Sequence, residues 1–190
     1  MPTRLLAAAS IAILCVPVHA GINILQNPGF ESGELGPWFQ DRDFGGGLDE
    51  DYFVDTFEPH SGSFSAGIFS NKELRQDFAP VAIDSIEEIS FWGRHRESTA
   101  SADVFLSFFY ETGPERTRLV RTAGSGWTFF DVTSLLDAER GGLVGISVFG
   151  NTGFRFNFDD AAVSVVPAPA TLTPVLALLV AAPRRRCPNA

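Results

Sequence analysis

Acidic side chains are the first residues in this sequence whose type and spacing could do chemistry. Glu31 stands near the start of the aromatic-rich part of the chain, and Asp159-Asp160 stand near its end. Carboxylate oxygens brought together from distant loops suit Ca²⁺, which takes six to eight oxygens in flexible geometry. The same carboxylates could instead accept hydrogen bonds from loop amides with no metal between them. Sugar recognition asks for another set, an aromatic face beside polar hydrogen-bond partners. Trp92 and Arg94 share one side of a strand, because side chains two apart share a face. Phe105 and Phe109 share a side of the following strand. This strand pair can line a concave groove with Trp92 and Arg94, or its aromatics can be core packing. Catalysis has less to draw on. Beyond the first twenty residues the only histidines are His60 and His95, and Arg94-His95-Arg96-Glu97 reads as a charged loop after a strand. No nucleophile-elbow pattern is present. Paired carboxylates could serve glycoside hydrolysis. Asp159 and Asp160, however, are strand neighbours expected to point to opposite faces, so they do not flank one bond. The chain reads as non-catalytic.

Positioning such residues falls to short strands. Between Gly21 and Val165 there is no helical period, and apolar or alternating runs recur between Gly, Pro, Ser, Asn and Asp. Strands are expected at 22–26, 51–57, 63–69, 73–78, 87–94, 104–110, 116–121, 128–132, 143–149 and 154–165, with one helical turn within 134–140. Phe154-Arg155-Phe156-Asn157-Phe158 alternates strictly, so one face is buried and the other polar. Ten short strands with frequent turn signals predict an all-β fold, an antiparallel β-sandwich or jelly roll. Gly45-Gly46-Gly47 with Asp49-Glu50-Asp51 is an acidic loop without the lysine and following helix of a phosphate-binding loop.

The chain has 190 residues, and all 23 of its aromatic residues lie between Phe30 and Phe158, so the core belongs to the middle. That middle holds all 23 acidic residues and 10 of the 14 basic ones, a net charge of −13. A surface this acidic repels phosphate backbones and anionic lipid, which excludes nucleic acid as a partner and favours divalent cations or neutral sugars. The two cysteines, Cys15 and Cys187, lie outside the middle, which therefore has neither a disulfide framework nor a thiolate metal cluster.

Both ends read as addresses. Residues 1–20 form a signal peptide: Arg4, an apolar stretch from Leu5 to Val16, and Val18-His19-Ala20 before a cleavage point between Ala20 and Gly21. At the other end no charge occurs between Asp160 and Arg184, and Val166 to Ala182 is 17 residues, the low limit for a spanning helix. Arg184-Arg185-Arg186 would hold that end on the cytoplasmic side. The expected organisation is signal peptide 1–20, β-sandwich domain 21–166 and tail 167–190.

Two resemblances sharpen this. Val166-Pro167-Ala168-Pro169-Ala170-Thr171-Leu172, an apolar segment and the Arg184–Arg186 cluster, in that order, resemble the PEP-CTERM sorting signal, whose pattern carries Glu where this chain has Ala168. The resemblance implies an exosortase partner that recognises the Pro167-Ala168-Pro169 motif and cleaves near Pro167–Thr171. It also implies a transient inner-membrane anchor in a Gram-negative bacterium, and a final place at the cell surface or in exopolysaccharide matrix. In the middle stand Asn27-Pro28-Gly29-Phe30-Glu31 with Trp38, then His60-Ser61-Gly62-Ser63-Phe64-Ser65, Leu74-Arg75-Gln76-Asp77-Phe78, Ile89-Ser90-Phe91-Trp92, Trp127-Thr128-Phe129-Phe130 and Phe158-Asp159-Asp160-Ala161-Ala162-Val163. Their order resembles the galactose-binding-like jelly roll of carbohydrate-binding modules. That resemblance implies a structural calcium held by the Glu31 and Asp159 side chains, with Asp160 as alternate and main-chain oxygens of His60 and Ser61. It places Trp38 and Trp127 in the core and leaves Trp92 and Arg94 as the ligand-binding pair. The expected role is a glycan-binding surface or matrix component. A purely structural surface protein and a glycan-active hydrolase are the alternatives.

Overall fold

The computed structural model describes residues 21–43, 52–69, 72–96, 102–122, 125–150 and 155–167. The signal peptide, the acidic loop at Gly45–Asp51 and the tail from Ala168 through Pro169 to Arg184, Arg185 and Arg186 lie outside them. Among the described residues no helix is long and apolar enough to cross a membrane.

Among the described residues eleven strands form, in chain order β1 (Ile22–Asn23), β2 (Phe39–Asp43), β3 (Tyr52–Asp55), β4 (Ser65–Ile68), β5 (Lys72–Val81), β6 (Ile86–His95), β7 (Ala102–Tyr110), β8 (Arg116–Thr122), β9 (Thr128–Asp131), β10 (Leu143–Gly150) and β11 (Phe156–Val165). Ten of them fall on the expected runs. The tenth and longest run begins two residues later than expected, and β2 has no counterpart in the expectation. The expected helical turn is two 3-10 turns, Thr133–Leu135 and Ala138–Arg140. All strand pairs are antiparallel. One sheet runs β3-β4-β11-β6-β9 with β1 on the end of β11, and the other runs β2-β5-β10-β7-β8. The architecture is an all-β jelly-roll sandwich.

Alternation decides which side chains fill the space between the sheets. Ile89, Phe91, Phe156, Phe158 and Val163 of the six-stranded sheet meet Leu74, Val104, Leu106, Phe108, Ile146 and Val148 of the five-stranded one. Before β2 the turn through Asn27 and Phe30, both at positive φ, drives the Phe30 ring inward. There it packs edge-on against Phe158 at 4.9 Å and beside Trp38 at 5.8 Å. Trp38 is a core residue as expected, and its indole N–H donates to the Asn27 carbonyl at 3.3 Å.

Sequence neighbours separate at β6 and β7. β6 pairs with β11 and β9, whereas β7 pairs with β10 and β8. Trp92 and Arg94 therefore lie on one sheet and Phe105 and Phe109 on the other, and the expected groove shared by all four does not form. Arg94 ends no strand: β6 runs on through His95, which was expected in a charged loop. His95 is fully buried, with its ring 5.3 Å from that of Phe156.

Candidate functional site

The two ends of the domain meet at one turn. The bend at Asn27–Phe30 that buries Phe30 turns Glu31 outward, toward residues 60–64. One Glu31 carboxylate oxygen accepts the Ser63 N–H at 3.0 Å and the Phe64 N–H at 3.1 Å, and the other accepts Ser63 N–H at 3.1 Å. From β11, Asp159 Oδ2 accepts the His60 and Ser61 N–H groups at 3.0 and 3.2 Å, and its Oδ1 accepts the Asp160 N–H at 2.8 Å. Asp160 Oδ2 lies 2.7 Å from His60 Nδ1, and its Oδ1 accepts the Ser61 hydroxyl at 2.8 Å.

Asp159 and Asp160 thus reach the same turn, contrary to the expectation that they face opposite sides. The reason is a β-bulge. Asp159 pairs with Trp92 and Ala162 with Ser90, so two β11 residues oppose one on β6, and Asp160 takes positive φ. The extra residue suspends alternation at that step and points both carboxylates outward. Asn157 and Asp159 on the polar face of β11 are nevertheless fully buried, Asn157 bonded to Asp55 and Ser65 and Asp159 beneath the turn at His60 and Ser61. Burial pushes the Asp159 carboxyl up to about 6, against the opposing pull of the Ser61, Asp160 and His60 N–H groups, while the Asp160 charge raises it further.

The expected calcium ligands can be compared with this arrangement. Asp160 Oδ1, Asp159 Oδ1 and the Cγ methylene of Glu31 lie 3.3, 3.5 and 3.8 Å from one point beside Gly29, the space its missing Cβ would occupy, while the Glu31 carboxylate itself lies against Gly62. The ligand chemistry and charge suit a hard divalent cation. Their oxygens, however, are turned onto N–H groups of the 60–64 turn. Ser61 offers N–H and hydroxyl hydrogens rather than a main-chain oxygen to the neighbouring carboxylates. Among the described residues no three His, Cys, Asp or Glu side chains are grouped to hold a metal. A cation there would take over lone pairs now satisfied by the turn.

Trp92 and Arg94 do share a side, the outer face of the six-stranded sheet. Trp92 is half-buried, stacked on the His60 ring at 3.8 Å and 14° and 5.3 Å from Phe129. The Arg94 guanidinium is 4 % exposed and committed within the protein: it donates to the Phe57 carbonyl at 2.6 Å and to Glu58 at 3.2 Å, and lies 4.7 Å from the Trp127 ring. It is a support beneath the surface. Trp127, expected in the core, is half-buried on this outer face, 5.8 Å from His60, with its N–H donating to the Glu58 carbonyl at 3.1 Å.

The outer face of the five-stranded sheet carries a second constellation that the sequence reading did not assemble. Cross-strand register puts Phe39, Arg75, Ser147, Ser107 and Thr117 in one row across five strands. Phe105 and Phe149, neighbouring rows away, pack at 5.7 Å, and Phe149 pairs with Glu73. The Arg75 guanidinium lies 3.5 Å over the Phe109 ring and 5.8 Å from the exposed Phe39 ring, and its Nε donates to Asp77 at 2.7 Å. Ser147 donates to the buried Glu73 carboxylate, and the Ser107 and Thr117 hydroxyls are 3.1 Å apart. The alternation in Glu73-Leu74-Arg75-Gln76-Asp77 could have announced the charged side of β5. Phe39 carried no signal, since the strand that presents it was not recognised.

No known family model matches the sequence, and no curated protein does. Solved structures do match. A family 61 carbohydrate-binding module in complex with β-1,4-galactotriose is 24 % identical with a TM-score of 0.52, over 74 % of this chain and 97 % of that one. The CBM22-1 xylan-binding domain of Paenibacillus barcinonensis Xyn10C is 15 % identical with a TM-score of 0.56, over 80 % and 99 %. The CBM22-1 and GH10 modules of the Clostridium thermocellum endo-1,4-β-D-xylanase 10B, complexed with xylohexaose, are 14 % identical with a TM-score of 0.53, over 77 % and 28 %. These three are carbohydrate-binding modules, one of them solved together with a xylanase module, and the likeness establishes the jelly-roll fold.

Proposed function

We propose that this domain binds neutral glycan chains on the outer face of its five-stranded sheet, as the non-catalytic part of an exported surface or exopolysaccharide-matrix protein. One observation carries the reading. An exposed aromatic ring, Phe39, stands beside a guanidinium held between Phe109 and Asp77, and the exposed Thr117 ends the same row, the Ser147 and Ser107 hydroxyls between them being buried and bonded within the protein. Pyranose rings present an apolar face and a rim of hydroxyls, and an aromatic beside fixed donors and acceptors matches both. The ligands named with the structural neighbours, β-1,4-galactotriose, xylan and xylohexaose, support a neutral chain. So does the acidic charge of the domain.

Export by cleavage between Ala20 and Gly21, and sorting by an exosortase acting near Pro167–Thr171, belong to the same proposal. The pairing of Ile22 with Val165 is consistent with it, because it brings the two proposed processing regions to one end of the sandwich. Calcium between Glu31 and Asp159 is proposed as a stabiliser that relieves repulsion among the three carboxylates. A structural surface protein that binds no sugar is the second reading, and the burial of Arg94 favours it. A glycan array probed with the mature protein, with and without calcium, tests the choice. Neutral oligosaccharides retained by wild type and lost with Phe39→Ala support binding, and an array with no retained glycan removes it.

A further inference from the structure

The outer face of the six-stranded sheet holds exposed rings that the glycan-binding face does not use. Phe57 and Phe129 are 46 % and 48 % exposed, far above what a core ring allows. They border a continuous aromatic layer. Phe129 touches Trp92, Trp92 stacks on His60, and His60 meets the edge of Trp127. Each ring is braced from behind or from the side. The His60 Nδ1 is 2.7 Å from Asp160, the Trp127 N–H is held by the Glu58 carbonyl, and the buried Arg94 lies 4.7 Å from Trp127 and 5.8 Å from Phe57. Rings fixed in this way lose little freedom when a partner arrives, which is what preorganisation contributes to affinity. Around them stand acceptors: the Glu58 carboxylate is 69 % exposed and that of Asp160 is 32 % exposed.

We propose that this layer is a second glycan contact, so that one domain bridges two neutral sugar chains. The inference rests on the glycan-binding reading above. The chemistry of the occupant follows from the rim. Carboxylates accept hydrogen bonds from sugar hydroxyls while repelling uronate or phosphate, and the acidic charge of the whole domain repels a second copy in the same way. The two faces lie on opposite sides of a sandwich whose sheets are about 10 Å apart. A single short sugar cannot touch both, and a domain holding a chain on each side is a cross-link.

The test is calorimetry of the mature protein with β-1,4-galactotriose and with xylohexaose, together with light scattering on long soluble β-1,4-galactan and xylan. Three proteins are compared: wild type, Phe39→Ala with Arg75→Ala, and Phe57→Ala with Phe129→Ala. The last pair is exposed, so the fold survives it, and circular dichroism checks all three. Wild type should bind two oligosaccharides, and each variant one. Wild type alone should raise scattering on long chains, with an apparent affinity there roughly tenfold or more above either variant, the gain expected from two linked contacts. A single site in wild type that vanishes with Phe39→Ala and Arg75→Ala overturns the second contact and leaves glycan binding standing. An unchanged site count and unchanged scattering in Phe57→Ala with Phe129→Ala overturn it too. Wild type that binds neither oligosaccharide nor polysaccharide overturns both readings together.

Discussion

Acid should destabilise this domain through His95 in a way the structure lets one calculate. His95 is fully buried on β6, against Phe156, and burial pulls its imidazole down from 6.5 to about 4, with the Asp103 charge opposing. The folded protein therefore resists a proton that the unfolded chain accepts. The stability contributed by the neutral ring is complete above pH 6.5, declines as the pH falls toward 4, and levels off below that. Each unit of pKa difference is about 1.4 kcal/mol, so the whole decline is about 3 kcal/mol. Carboxylates also titrate in this range, and Asp159, with its raised pKa, works in the opposite direction. The informative quantity is thus the difference between wild type and His95→Gln, in which the shared groups cancel. Urea unfolding of both proteins between pH 7.5 and 4 gives it directly. Wild type should lose about 3 kcal/mol relative to His95→Gln across that window. A difference that stays flat would mean that His95 is solvated in the folded state, as a residue of an exposed loop would be, and would refute its burial.

Three further outcomes follow from the same contacts. Gly62 sits at φ +59 with the Glu31 carboxylate against the position of a Cβ, so Gly62→Ala should cost about 1–3 kcal/mol of unfolding free energy, and a loss below about 0.5 kcal/mol would show that the turn relaxes freely. Calcium should raise the melting temperature of the mature protein and chelator should lower it, the stabilisation being about 2.7 kcal/mol at a hundredfold excess over Kd, with most of the response absent in Glu31→Gln; equal melting in calcium and chelator would leave the carboxylates as acceptors for the turn alone. Secreted protein should begin at Gly21 on N-terminal sequencing, and the surface form should lack peptides from Leu172 to Arg186 by mass spectrometry; a start at Met1, or intact tail peptides in that form, would remove the export and sorting reading.

Much of the fold was legible because alternation is a local property. The Phe156-Asn157-Phe158 run, the apolar positions of β7 and β10 and the turn residues between them announce strands without reference to anything distant. β2 was not legible. Its Phe-Gln-Asp-Arg-Asp sequence lacks an apolar face of its own, and the strand exists because Gln40 and Arg42 find partners in Leu74 and Glu73 of β5. The meeting of Glu31 with the Asp159-Asp160 end was foreseen from the closeness of first and last strands. What those carboxylates touch was not, because hydrogen-bond partners a hundred residues apart leave no trace in local pattern.

By itself the sequence determined the all-β class and most strand positions. These depend on residue type and on spacing within a few positions. Only the tertiary structure decided the rest. It parted β6 from β7, sending Trp92 and Phe105 to different sheets, because strand pairing is chosen by packing across the sandwich and not by order along the chain. It turned Asp159 and Asp160 to one side, because a single bulged residue resets alternation from that point on. It also buried Arg94 and His95 while leaving Phe39, Phe57 and Phe129 in solvent, because exposure depends on which segments fold over a face, and that is fixed only when the whole chain has closed.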